Sequence, residues 1–183
     1  TLEPSSAASD VYKRQTVDNF PIDGIAFRDI TSLIETPEAF VKTCDELTKI
    51  TRNFGADIVA SIESRGFIFA GTIARDLNLP FVLARKPGKL PNETYKKSFD
   101  LEYGSTSIEI QKNTEIKNNQ KIVIVDDLVA TGGTAIACSE IFTENFNVKS
   151  ENILILSIID LPELGGSRLI SEKGHLIETL IDY

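Results

Sequence analysis

Asp126 and Asp127 stand together in the run KIVIVDDLVATGGTAI, residues 121–136, directly ahead of a turn rich in threonine and glycine. Paired carboxylates accept hydrogen bonds from hydroxyl groups or neighbour a hard divalent cation. A Thr-Gly-Gly turn that opens a helix does the opposite work. The N–H groups of Ala130, Thr131, Gly132, Gly133 and Thr134 converge there, the helix dipole reinforces them, and glycine lets an oxyanion come close. Acids repel phosphate and the turn attracts it, so the two halves address different parts of one ligand. One short turn is the reach of a sugar ring from its own 5′-phosphate. That assigns ribose hydroxyls to Asp126 and Asp127 and a monophosphate to residues 130–134. The string is not the GxxxxGK[ST] loop of nucleoside triphosphatases, since no lysine follows the glycines, and it is not GxGxxG.

Such residues need a frame, and the flanking periodicities supply one. Thr36 suits an N-cap, Pro37 the first helical position, and Phe40, Cys44, Leu47, Thr51 and Phe54 share one face before Gly55 stops the helix. DIVASI (57–62) reads as a short buried strand, residues 66–77 as a helix, and PFVLA (80–84) as another strand. Residues 85–100, with two prolines, a glycine and five basic residues, show no period and are expected to form a long mobile loop. LEYGSTSIEIQ then suggests a hairpin punctuated at Gly104 and Ser105. KIVIVDD is a buried strand, residues 134–146 a helix, ENILILSIID a strand and HLIETLID a last one. Alternating strands and helices predict an α/β fold with a mainly parallel, Rossmann-like sheet flanked by helices. Ligands of such sheets bind beyond the carboxyl ends of the strands, which here carry Glu63-Ser64-Arg65-Gly66, Arg85-Lys86, Asp126-Asp127 and Asp160-Leu161.

The whole chain narrows the classes further. Its 183 residues predict one domain over 16–183, with 16–35 as a small N-terminal flap and 1–15 as a disordered tail or artefact outside the fold. Nineteen basic against 27 acidic residues, a formal charge of −8, argue against a general nucleic-acid binder. No apolar run reaches the roughly 18 residues of a membrane span. Cys44 and Cys138 fall on helical apolar faces and are expected to be reduced core residues, which fits a cytoplasmic setting. The single His175, in a Glu-Lys-Gly-His stretch, is expected at the surface without a role.

VIVDDLVATGGTA resembles the phosphoribosyl pyrophosphate (PRPP) signature of type I phosphoribosyltransferases. Four further segments, IAFRDITSL at 25–33, ASIESRGFIFA at 60–70, LARKPGKLPNET at 83–94 and LEYGSTSIEI at 101–110, resemble the adenine phosphoribosyltransferases of that family. The likeness spans about residues 17–183. It departs from the family pattern at VDNFPIDGI, where Ile22-Asp23 precedes Gly24.

The resemblance implies the type I phosphoribosyltransferase fold, with a flap or hood and a mobile catalytic loop, and roles that residue chemistry can be checked against. Ser64, Arg65 and Gly66 fall in the pyrophosphate-contacting ESRGF segment, where Arg65 offers a forked cation and Gly66 a close backbone approach. Arg85, Lys86 and Lys89 match the pyrophosphate side and the base of the loop, whereas Lys96 and Lys97 are assigned nothing. Glu102 and Tyr103 match a loop-end pair associated with proton handling at a purine. Ala26, Phe27 and Arg28 match the purine-holding segment, and Leu161 is placed among the substrate-binding positions. With Asp126, Asp127, Arg65 and Glu102 as the catalytic set, the implied reaction is purine salvage, adenine plus PRPP giving AMP and pyrophosphate. Mg²⁺ would enter through the substrate beside Asp126 and Asp127, without a direct protein cage, and a homodimer is implied. A transferase for 6-oxopurines is the alternative, but it places a lysine where this chain reads SIIDLPEL. A non-catalytic PRPP-sensing regulator would need a basic face or an appended DNA-binding domain. An inactive paralogue is opposed by the intact acids.

Overall fold

The computed structural model describes residues 16–18, 26–28, 30–101 and 104–182. The tail 1–15, the departure at 22–24, and Glu102 with Tyr103 lie outside the described residues, as do the side chains of Ala26, Phe27 and Arg28. The described chain falls into two compact units, one ending at Glu46 and the other beginning at Leu47. In the first, β1 (Thr16–Asp18) and β2 (Ala26–Arg28) pair antiparallel with Val17 opposite Phe27, and helix α1 (Thr31–Glu35) follows. Only Thr36 separates α1 from α2 (Pro37–Phe54). The buried hydroxyls of Thr43 and Thr51 on α2 donate back to the Ala39 and Leu47 carbonyls, each at 2.8 Å.

The second unit is built on five parallel strands: β3 (Ile58–Ile62), β4 (Phe81–Ala84), β7 (Ile122–Val129), β8 (Ile153–Asp160) and β9 (Leu176–Asp182). Their spatial order is β4-β3-β7-β8-β9. Every residue of β3 and β8 is buried, which accounts for continuous apolar runs in place of alternation. Helix α3 (Gly66–Leu77) returns from β3 to β4 and packs on β3 and β7, while α4 (Gly133–Asn145) connects β7 to β8. The core joins Ile58, Ile122, Ile124 and Ile155 of the sheet to Ala137, Cys138, Ile141 and Phe142 of α4. Cys44 and Cys138 are buried and free, as expected.

Gly66 is required by packing: a Cβ there would lie 2.5 Å from Ser61 Oγ and 2.8 Å from the Val125 carbonyl oxygen. The start of α3 is thereby pressed onto the ends of β3 and β7.

Two expectations are corrected. Residues 94–101 are not part of an irregular loop but form strand β5 (Thr94–Leu101), paired antiparallel with β6 (Gly104–Gln111) from Thr94↔Gln111 to Leu101↔Gly104. The irregular part is confined to residues 86–93, because β6 supplies a pairing edge that a local pattern cannot reveal. This hairpin packs on α4, and Arg85 and Glu109 exchange backbone hydrogen bonds of 2.9 and 2.7 Å that tie it to the end of β4. His175, expected at the surface, is buried, with Nε2 3.0 Å from Ser139 Oγ on α4. Burial pushes its pKa below the ordinary imidazole value.

Candidate active site

In the strand order, the connection from β3 runs toward β4 at one edge and the connection from β7 runs toward β8 in the other direction. The carboxyl ends of β3 and β7 are therefore the point where the order reverses, the place where a crevice opens in such sheets. A cleft of about 410 Å³ lies there. It is lined by Glu63, Ser64 and Arg65 after β3, by Lys86 after β4, by Phe99, Thr106 and Ser107 of the hairpin, and by the continuous stretch Asp126–Ala135.

Both acids lie within β7, which continues to Val129, opposite Asp160 of β8. Both line the cleft. Asp126 Oδ1 accepts the Asp127 N–H at 2.9 Å, and Asp127 Oδ2 faces Arg65 Nε at 2.7 Å. The Asp127 side chain is 5% exposed and that of Arg65 38%, so the cation reaches solvent while its carboxylate is fixed beneath it. Burial holds the Asp126 carboxyl well above the ordinary carboxylate range, and the adjacent Asp127 charge adds to this. Asp127 is also raised by burial, with Arg65 pulling in the other direction.

A raised folded-state pKa is stability that is present below the ordinary carboxylate value and lost as pH rises through the folded-state value. At neutral pH the acid pair therefore destabilises the fold, and Asp126→Asn is expected to raise the melting temperature measured without substrates. Each kcal/mol relieved, from burial of the charged carboxyl first and from repulsion by Asp127 second, corresponds to about 2–4 °C for a chain of this size. The gain should shrink on acidification toward the ordinary carboxylate value; a lower melting temperature at pH 7 would contradict a cost from the buried Asp126 charge.

After Val129 the chain turns through Ala130, Thr131 and Gly132 into α4. Gly132 takes the left-handed conformation, φ +78°, as the N-cap, and its carbonyl accepts the first helical bond from Ile136 N–H at 2.9 Å. The first N–H groups of α4 have no partner inside the helix and stand at the cleft, so the loop and helix N-terminus form an anion cradle.

The cradle has a buttress that the local sequence does not announce. Gly166 N–H donates to the Ala130 carbonyl at 3.1 Å, at the start of helix α5 (Gly166–Glu172). A Cβ on Gly132 would lie 2.9 Å from the Gly166 carbonyl oxygen, and one on Gly166 would lie 2.7 Å from Gly132 N and 2.9 Å from Thr131 C. The Gly165-Gly166 pair is the only local signal for it. Gly132 thus serves loop packing as well as ligand approach.

The remaining assigned positions divide. Ser64, Arg65, Lys86, Asp126, Asp127 and residues 130–134 meet in the cleft. Gly66, Arg85, Lys89 and Leu161 are not among its lining residues. Arg85 Nε donates to Glu63 Oε2 at 2.6 Å and its Nη1 to the Lys89 carbonyl at 3.0 Å, so it braces the β3 turn and the loop that follows β4. Lys89 is exposed. The Leu161 N–H donates to the Val129 carbonyl at 3.0 Å, next to the cleft. Glu63, Phe99, Thr106 and Ser107 are lining residues without an assigned role; the Phe99 contribution depends on β5 being a strand.

Comparison with known proteins agrees with this geometry. The family described as the phosphoribosyl transferase domain matches residues 31–164. An adenine phosphoribosyltransferase of Erythrobacter litoralis is 42% identical over 169 residues, covering 92% of this chain and 93% of that protein. The crystal structure of adenine phosphoribosyltransferase from Thermoanaerobacter pseudethanolicus matches with a TM-score of 0.86 at 35% identity, over 96% of this chain and 99% of that one. The enzyme from Giardia lamblia, complexed with 9-deazaadenine, matches with a TM-score of 0.85 at 33% identity, over 100% and 99% of the two chains. A cleft at the sheet's switch point that pairs two acids with an anion cradle, on a chain with these relatives, identifies a member of the adenine phosphoribosyltransferase family.

Proposed function

We propose that this chain transfers the 5-phosphoribosyl group of PRPP to N9 of adenine, yielding AMP and pyrophosphate in purine salvage. The observation that carries the reading is the meeting of Asp126, Asp127, Arg65 and the cradle 130–134 in one cleft, in a chain 42% identical to an adenine phosphoribosyltransferase. The cradle takes the 5′-phosphate through N–H groups and the helix dipole. Asp126 and Asp127 accept hydrogen bonds from the ribose hydroxyls and oppose the positive charge that develops at C1 as its bond to pyrophosphate lengthens. Arg65, Ser64 and Lys86 hold the pyrophosphate side, and Arg85 acts behind them by fixing Glu63. Proton handling at the purine falls to Glu102, with Tyr103 beside it, between β5 and β6. Positioning and electrostatics supply most of the acceleration, since the leaving group is good once its charge is balanced.

Among the described residues, no group of three or more His, Cys, Asp or Glu side chains is arranged to hold a metal. Two adjacent carboxylates suit Mg²⁺ only when phosphate and hydroxyl oxygens complete its shell. Mg²⁺ is accordingly read as entering with PRPP beside Asp126 and Asp127, where it balances charge on the departing pyrophosphate.

Adenine's 6-amino group calls for an acceptor and a 6-oxo group for a donor. No Lys or Arg occurs from Asp160 to Ser167, which favours adenine. No helix among the described residues is long and apolar enough to cross a membrane. The reading is completed by a cytoplasmic homodimer, whose mass light scattering would measure. The function is tested by supplying PRPP and Mg²⁺ with adenine, hypoxanthine or guanine in parallel. AMP from adenine alone is expected; product from the oxopurines alone would move the chain to their transferases.

A further inference from the structure

Lys97 carries no assignment from the local sequence, yet it is the polar centre of the contact between the hairpin and the cradle helix. On β5, Tyr95, Lys97 and Phe99 share one face, and that face meets α4 along its length. Tyr95 packs edge-on against Phe146 just past the C-terminus of α4, with centroids 5.4 Å apart at 86°. Lys97 Nζ lies 3.0 Å from Glu140 Oε2 and 2.5 Å from Glu144 Oε1, one turn apart on the helix. Phe99 then reaches the cleft, where α4 begins. Glu140 also faces Lys173 Nζ at 3.5 Å, so the cluster joins β5, α4 and the turn after α5. Two acids facing one lysine keep its ammonium protonated, Glu144 more strongly than Glu140.

We propose that Lys97 is a positioning residue: its ion contacts with Glu140 and Glu144 hold hairpin β5–β6 in register on α4, and so place Phe99, Thr106 and Ser107 in the cleft beside the cradle. The strand and the helix each carry one end of the site. Phe99 lies at the cleft end of the strand, and the cradle lies at the helix N-terminus. An apolar contact alone, Tyr95 on Phe146, anchors the far end but tolerates sliding. The lysine between two acids fixes the strand along the helix axis, because a shift of one residue moves every side chain to the other face. An isolated exposed pair would count for little; three charges sharing one geometry, with Lys97 29% and Glu140 24% exposed, lose less side-chain freedom per contact.

The catalytic side of this inference rests on the transferase reading; the positional side does not. Two readouts separate them. Amide hydrogen exchange on the full chain is compared for wild type, Lys97→Met and Lys97→Arg. Lys97→Met is expected to speed exchange of residues 98–106 by about tenfold while β7 and β8 keep wild-type rates, and Lys97→Arg is expected to restore protection. Unchanged exchange in Lys97→Met, or a uniform rise that includes β7 and β8, overturns the proposal whatever the reaction. In the AMP assay, Lys97→Met is expected to lower kcat by roughly tenfold with the KM for PRPP held within about twofold, as for a misplaced group away from the ground-state contacts. Glu140→Gln/Glu144→Gln should reproduce that loss without adding to it in combination with Lys97→Met. Wild-type kcat in Lys97→Met, or full additivity, also overturns the proposal. Failure of the wild type to make AMP would instead sink the transferase reading, and the exchange result would still decide the role of Lys97.

Discussion

Asp127→Asn is expected to cut turnover by roughly 10²–10³-fold, the scale found when one preorganised electrostatic contact to a transition state is removed. The substitution keeps the side-chain shape and deletes one charge at a position that is 5% exposed and fixed by Arg65 at 2.7 Å. Two effects on stability oppose each other. The ion contact to Arg65 is lost, but so is the repulsion with Asp126. Arg65 is 38% exposed and can be solvated when its partner is gone. The net change in stability is expected to stay within about 1 kcal/mol, the range of ordinary substitutions. Rate and melting temperature measured on one preparation separate the two. A wild-type turnover would remove Asp127 from the mechanism, and a large stability loss would make its role structural.

Gly166→Ala is expected to damage the cradle without touching any ligand. Its Cβ would overlap the Ala130 carbonyl oxygen and sit 2.7 Å from Gly132 N. These are backbone atoms of a turn closed by the Gly166 N–H to Ala130 bond, so no side chain can rotate away. The turn must move, carrying with it the N–H groups that face the phosphate. Overpacking of this kind costs about 1–3 kcal/mol of stability. The larger consequence is for binding: displacement by about 1 Å weakens several hydrogen bonds together, and the KM for PRPP is expected to rise by about 100-fold. The KM for adenine should change much less. Equal losses for both substrates would show that the variant disturbs the whole cleft, not the cradle.

The contrast between these two positions shows what can be read from the chain alone. The acids and the cradle were legible because their chemistry is contiguous: DDLVATGG places acceptors and donors one turn apart whatever surrounds them. The buried parallel strands were legible for the same reason, since β3 and β8 are mostly apolar along their length and alternate with nothing polar until Ser61 and Ser157. Gly166 acquires its meaning from Ala130 and Gly132, more than thirty residues earlier, and the neighbouring Gly165 alone does not say which turn it supports. His175 is buried and meets Ser139, which lies 36 residues away. Strand β5 hides behind its lysines: TYKKSFDL places Lys97 on the inward row, where alternation predicts an apolar residue, and the compensating acids belong to α4. In each case a tertiary partner overrides the local pattern.

The central claim is that one cleft holds PRPP by its phosphate, ribose and pyrophosphate ends and passes the ribosyl group to adenine. The most direct measurement follows PRPP, AMP and pyrophosphate together by phosphorus NMR, with wild-type protein, adenine and Mg²⁺, and again with a chelator. The account predicts that PRPP is consumed with AMP and pyrophosphate appearing one for one, that omission of adenine stops this, and that the chelator abolishes it. PRPP consumption that yields ribose 5-phosphate in place of AMP, or no consumption by protein that binds PRPP, would contradict it.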